Sequence, residues 1–271
     1  MLALPLGPLA LPVEPLLVLG AALAARATAA RLAPRDAAAA AAAVVQQALL
    51  IGLLAARLGH VLDNGGAYAA EPWSVLDIRD GGWQSDTGLA GAALWLMWRL
   101  RHLPPMAQPV LFGAGAGVAL WLAAGWIVDD GIDAPLPDLE LVALGDGRRA
   151  TLAQLQQGRP MVVNLWASWC APCRAEMPAL AAAQRRGGGV RIVLVNQGED
   201  ADTVRAFLRA QRLDVDDVWL DRGSRLGPAI GSRGLPTTLF IDAQGRRVGA
   251  HMGLLNGAAL QGWLRALQAP R

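Results

Sequence analysis

Lysine is missing from this chain, so every one of its 24 basic side chains is an arginine. Cysteine and histidine are nearly missing too, with 2 of the first and 3 of the second in 271 residues. A zinc centre needs four ligands, drawn mostly from those two residue types. His60, His102 and His251 stand far along the chain from the cysteines, so the composition argues against metal as the use of the cysteine pair. The formal net charge is only +2 and no stretch gathers arginines with aromatics, which argues against nucleic acid as a partner. The abundance of alanine and the lack of lysine look like coding bias and imply no function.

What the chain has in excess is apolar surface. Hydrophobic residues make up 54% of it and the mean hydropathy is +0.33, too oily for an ordinary soluble protein, so part of the chain is expected in a bilayer. Residues 1–15 hold four prolines and no basic residue. They lack the charged start of a cleavable secretory signal and are expected to persist in the mature chain. Four apolar segments follow: Leu16 to Ala25, Ala37 to Leu58 after Asp36, Leu89 to Trp98, and Val110 to Val128. The first is short for a span unless the proline-rich stretch before it also lies in the membrane.

Arginines are retained on the cytoplasmic side while acids have little say. Arg26, Arg31 and Arg35 lie between the first and second segments, and Arg99 and Arg101 between the third and fourth. The stretch from Gly59 to Asp86 is acidic instead, as is the exit Asp129-Asp130-Gly131-Ile132-Asp133. This pattern predicts an all-α membrane domain over 1–130 with about four spans and both ends outside the cytoplasm. Gln46 and Gln47 suit interhelical hydrogen bonds, and Trp73 and Trp83 suit the interface.

Within this half, Gly7-Pro8-Leu9-Ala10-Leu11, Arg57-Leu58-Gly59-His60-Val61-Leu62, Tyr68-Ala69-Ala70-Glu71-Pro72, Asp80-Gly81-Gly82 and Gly88-Leu89-Ala90-Gly91 resemble the N-terminal part of prolipoprotein diacylglyceryl transferase. The resemblance implies a membrane domain that meets lipid. Where that family has a histidine before paired glycines this chain has Asp86 or Thr87, and the later arginine- and asparagine-bearing signature is absent. Asp80-Gly81-Gly82 is therefore open to two readings, a turn at the membrane edge or a retained lipid-handling element. Anchoring is the default role for the helices.

Residues 131–138, with Pro135 and Pro137, form a short stiff linker, and 139–271 alternate strand and helix patterns. The apolar run Met161 to Trp166 leads into Trp169-Cys170-Ala171-Pro172-Cys173. A strand that delivers two cysteines to the first turn of a helix sets one sulfur where unpaired N–H groups and the helix dipole favour a thiolate. Cys170 is then the attacking thiol and Cys173 the resolving one. A structural disulfide across so short a loop would add little stability. Glu176, three residues after Cys173, falls on the same helical face; it is either coupled to the redox centre or a solvated helix residue. Pro178 is expected to kink the helix, and Trp169 to pack beside the sulfurs. Asp200 and Asn256 are expected helix caps.

Trp166-Ala167-Ser168-Trp169-Cys170-Ala171-Pro172-Cys173, Arg174-Ala175-Glu176-Met177-Pro178, Val195-Asn196 and Leu235-Pro236-Thr237-Thr238 resemble a TlpA-like or ResA-like membrane-tethered thioredoxin. The resemblance spans 135–268 and implies an α/β thioredoxin fold, with Pro236 cis beside the sulfurs. It further implies that Leu235 and Pro236, with Trp169, meet the extended peptide of a partner, and that an acid at the position of Glu176 is linked to the redox centre. The expected activity is reduction of disulfide-bearing periplasmic proteins through Cys170 and Cys173, without a bound cofactor. A multi-pass bacterial inner-membrane protein with its C-terminal domain in the periplasm is the expected setting. Because both cysteines lie in that domain, a separate membrane electron donor, of DsbD or CcdA type by the same resemblance, is needed. Oxidation of secreted thiols and lipid modification by the membrane half stand as alternatives.

Overall fold

The computed structural model describes residues 3–6, 9–70, 72–76, 82–127, 135–232 and 234–269. Gly7, Pro8, Glu71, Asp77, Arg79, Asp80, Gly81 and 129–133, which figured in the transferase resemblance and the charge pattern, lie outside the described residues. The chain divides into two compact units. One joins Pro12–Gly65 to Gly82–Asp129, and the other joins Met1–Leu11 and Gly66–Gly81 to Asp130–Arg271.

Two short paired strands, β1 (Ala3–Leu6) and β2 (Leu9–Pro12), open the chain. Then come α1 (Val13–Leu32), α2 (Ala38–Asp63), the short α3 (Gly65–Ala70), α4 (Ser85–Arg101) and α5 (Ala107–Ile127). In the helical unit α1 lies against α2 and α5, and α2 against α4. Small residues bring these backbones together: a Cβ on Gly113 would stand 2.6 Å from the Ala25 carbonyl oxygen, and one on Gly88 would stand 3.1 Å from that of Gly52. The core is correspondingly made of Ala25, Ala29, Ala41, Val44, Val45 and Val110. Leu54, Leu62, Leu94, Phe112 and Leu122 are exposed, the reverse of a soluble bundle.

Among the described residues two helices are long and apolar enough to cross a membrane, Ala38–Asp63 and Pro104–Gly125. Helices α1 and α4 occupy the first and third expected segments, but α1 includes Glu14, Arg26 and Arg31, and the 17-residue α4 ends on Arg99 and Arg101.

The other unit is built on β3 (Leu141–Ala143), β4 (Arg149–Ala150), α6 (Leu152–Gln156), β5 (Met161–Trp166), α7 (Ala171–Arg186), β6 (Arg191–Gln197), α8 (Ala201–Ala210), β7 (Val218–Asp221), α9 (Leu226–Ala229), β8 (Thr237–Ile241), β9 (Arg247–Met252) and α10 (Gly257–Gln268). Its seven-stranded sheet has the order β4-β3-β7-β6-β5-β8-β9. Strands β5, β6 and β7 are parallel; β8 and β9 complete one edge antiparallel, and β3 and β4 the other. This is the α/β thioredoxin-like fold expected, with the leading hairpin placed on β7.

Period-two alternation along β5 explains the two cores. Met161, Val163 and Leu165 face a core shared with Leu152, Leu155 and Leu226, while Val162 and Trp166 face one shared with Met177, Leu180, Leu208 and Leu260. The central strand is buried at every position, so its one polar residue, Asn164, is fully buried on the α7 side. Trp263 of α10 stacks on Phe240 of β8 with ring centroids 4.0 Å apart, which docks the last helix on the sheet.

Candidate active site

The chain leaves β5 at Trp166 and turns through Ala167, Ser168 and Trp169 into α7. Cys170 is the N-cap of that helix and Cys173 lies in its first turn. Their sulfurs are bonded at 2.08 Å. The backbone N–H of Cys173 points at Cys170 Sγ from 3.3 Å, the donor that would face a thiolate there. Pro172 occupies the first turn, where its missing N–H leaves no gap in the helix ladder. Cys173 is fully buried and Cys170 is 5% exposed, so an incoming group meets Cys170 first. Trp169, expected to pack beside the sulfurs, is 69% exposed and directly precedes the more accessible cysteine in the chain.

Glu176 is not a solvated residue. It is 2% exposed, and its two carboxyl oxygens take one N–H each: Oε1 accepts from Asn164 Nδ2 at 2.7 Å and Oε2 from the Leu255 backbone at 2.8 Å. Burial pushes its pKa from 4.5 up to about 7, although both hydrogen bonds pull it down. Asn164 gives its second amide hydrogen to Thr238 Oγ1 at 3.0 Å, so β5, α7 and β8 meet through one side chain. Helix α7 runs continuously through Pro178.

The Leu235–Pro236 peptide is cis and Pro236 is buried. Thr237 pairs with Leu165 across the antiparallel β5/β8 ladder, so Pro236 lies at the end of the sheet from which the cysteine loop departs. Its carbonyl accepts from Gly253 N at 2.9 Å. The connector from β9 to α10 thus touches the proline loop through Gly253 and Glu176 through Leu255. Gly253 has φ +107, a conformation that favours glycine.

Sequence reasoning missed a second carboxylate. Glu199, in the β6–α8 loop, accepts from Ser168 N at 2.8 Å, from Ser168 Oγ at 2.5 Å and from Asn196 Nδ2 at 2.6 Å. It ties the cysteine loop to the end of β6. Nothing in Gln197-Gly198-Glu199-Asp200 sets it apart from its acidic neighbour, which does cap α8 by accepting from Asp202 N and Thr203 N. Asn164 had a signal, being a lone amide in an apolar strand.

A dithiol at a helix start, with a buried acid one turn on, is a site for thiol–disulfide exchange, and comparison with known proteins agrees. Residues 132–253 match the Redoxin family model. The chain is 31% identical over 151 residues to the thiol:disulfide interchange protein HelX of Rhodobacter capsulatus, a match covering 52% of this chain and 85% of that one. It is 32% identical to the thiol:disulfide interchange protein DsbE of Escherichia coli (54% of this chain, 83% of that one). It is 29% identical to the thiol-disulfide oxidoreductase ResA of Bacillus subtilis (52% and 77%). The chain belongs to the thiol:disulfide interchange proteins of the redoxin family. As a thiol–disulfide oxidoreductase it uses the Cys170–Cys173 pair; all three matches fall on the half of the chain that holds that pair, about half its length.

Proposed function

We propose that this oxidoreductase works as a reductant of protein disulfides on the outer face of a bacterial inner membrane, held there by its N-terminal helices. The observation that supports this direction is Glu176. An acid buried beside the resolving cysteine and neutral over much of the range below pH 7 can supply and take up protons during exchange. Once ionised it repels a neighbouring thiolate. A thiolate-destabilising neighbour makes the dithiol less ready to persist in its reduced form, as a reductant requires.

In the forward reaction the Cys170 thiolate attacks one sulfur of the partner disulfide. That S–S bond breaks, a mixed disulfide with Cys170 forms, and the freed partner sulfur takes a proton. Cys173, deprotonated with Glu176 at hand, then attacks Cys170 Sγ; the second partner sulfur leaves and is protonated, and the Cys170–Cys173 disulfide remains. Two electrons and two protons have passed to the partner. Exposed Trp169, with Leu235 and Pro236 at the same end of the sheet, would hold the partner's extended segment. A separate membrane dithiol donor, of DsbD or CcdA type, would restore the thiols. The four segments α1, α2, α4 and α5 would cross the membrane with the arginine-bearing loops inside. The resemblance of the N-terminal motifs to the diacylglyceryl transferase supports a role for these helices against lipid, as anchor.

Replacing Cys173 with serine should trap partners as mixed disulfides on Cys170 in intact cells, identifiable by mass spectrometry, and adding Cys170→Ser should abolish the trapping. Recovery of no partner removes the proposal. A redox titration against glutathione and dithiothreitol checks the direction: a reductant has a potential well below that of glutathione, whereas an oxidising potential assigns the same residues to oxidation of secreted thiols.

A further inference from the structure

Asn164 leaves one atom without a hydrogen-bond partner: its Oδ1, in a residue with no solvent exposure. Both hydrogens of its amide are used, one on Glu176 Oε1 and one on Thr238 Oγ1. An unsatisfied buried acceptor costs free energy. The arrangement suits one protonation state of Glu176 only. A carboxylate wants donors, and here it has two, from Asn164 and from Leu255 N. A proton on Oε1 would set a donor against a donor.

A half-turn of the Asn164 amide about its terminal bond exchanges Oδ1 and Nδ2 with almost no change of shape. In the turned state Oδ1 takes the place 2.7 Å from Glu176 Oε1 and 3.0 Å from Thr238 Oγ1. It can accept the carboxyl proton and the threonine hydroxyl at once, since an amide oxygen has two lone pairs and a hydroxyl can donate as readily as accept. The orphan is then the NH2 group, a worse group to leave unpaired than an oxygen. The turned state is therefore favoured only when Glu176 holds its proton.

We propose that Asn164 is a positioning residue that turns its amide with the protonation of Glu176, so that the acid can gain and lose a proton without leaving the site mismatched. This rests on the reading of Glu176 as the proton-handling group of the exchange reaction. It adds the partner that follows the proton.

The chain has asparagine only at 64, 164, 196 and 256, so asparagine-selective 15N labelling of the full chain in lipid nanodiscs yields a handful of side-chain amide signals. Loss of one pair in Asn164→Leu assigns it; Thr238→Val, which perturbs the same pair, assigns it should the leucine variant fail to fold. Glu176 is followed in parallel through the infrared bands of 13C-labelled glutamate. The Asn164 amide is expected to shift with pH at the same midpoint as the Glu176 carboxyl, and to become flat with pH in Glu176→Gln. Asn164→Leu takes a donor from the charged form and an acceptor from the protonated form; the charge-assisted bond is the stronger of the two, so the Glu176 midpoint should rise, by less than about one pH unit. An amide that stays flat while Glu176 titrates overturns the proposal and leaves the role of Glu176 standing. A Glu176 that does not titrate between acid and mildly alkaline pH overturns both.

Discussion

Glu176 binds its proton more tightly in the folded protein than in the unfolded chain, with a pKa of about 7 against 4.5, and the sign of its effect on stability follows. Between those two values the folded state holds the extra proton, so stability falls as pH rises through that window. The loss comes to on the order of 3 kcal/mol across the whole interval. The oxidised protein should therefore show a urea midpoint for its C-terminal unit that declines from mildly acid to neutral pH. Glu176→Gln should lose the decline while keeping the fold. Pulse proteolysis over a urea series at several pH values measures this, and an equal slope in both proteins would count against a raised pKa at this residue. The same variant should flatten the pH dependence of Cys173 alkylation in the reduced protein, which a purely structural acid would not do.

At the scale of elements, the connector between β9 and α10 links the proline loop to the buried acid. Gly253 donates to the Pro236 carbonyl, Leu255 to Glu176, and Asn256 then caps α10 by accepting from Ala259 N at 2.9 Å. Asn256→Ala should cost about 1 kcal/mol, read as a lower urea midpoint. Gly253→Ala should cost a similar or larger amount from its positive φ alone, since open space surrounds the added methyl. Beyond stability, the glycine variant should alter thiol reactivity, because it moves the Leu255 N–H that faces Glu176; alkylation rates of the reduced protein separate the two effects.

How much of this was legible beforehand differs by element. The caps at Asp200 and Asn256 and the start of the cysteine helix follow local rules, in which a side chain meets a backbone group a few residues away. The Asn164–Glu176–Thr238 and Ser168–Glu199–Asn196 contacts join residues from different elements. Only the sheet order brings them together, and no local pattern encodes that order. The exposure of Trp169 was not legible either, because the loop geometry before Cys170 decides how much of that ring meets solvent.

On the scale of the whole molecule, the two units obey opposite rules of burial. In the thioredoxin-like unit leucine and tryptophan are inside; in the helical unit alanine and glycine are inside while leucine and phenylalanine face out. The second arrangement is the one that lipid as solvent favours, because lipid gives large apolar side chains no reason to hide and lets small ones bring backbones together. The four-span reading adds that α1 and α4 cross as well, though their arginines and shorter apolar runs make them weaker candidates than α2 and α5. Arginine position decides it, and single cysteines placed in a Cys170→Ser, Cys173→Ser background test it. Ala33→Cys and Leu103→Cys should resist a membrane-impermeant maleimide added to spheroplasts and react only after lysis, whereas Trp83→Cys and Asp138→Cys should react at once. Labelling of residues 33 and 83 from one side would remove α2 as a span. Labelling of 83 and 103 from one side would remove α4, leaving the dithiol outside only if α5 also stayed out of the bilayer, against its length and composition.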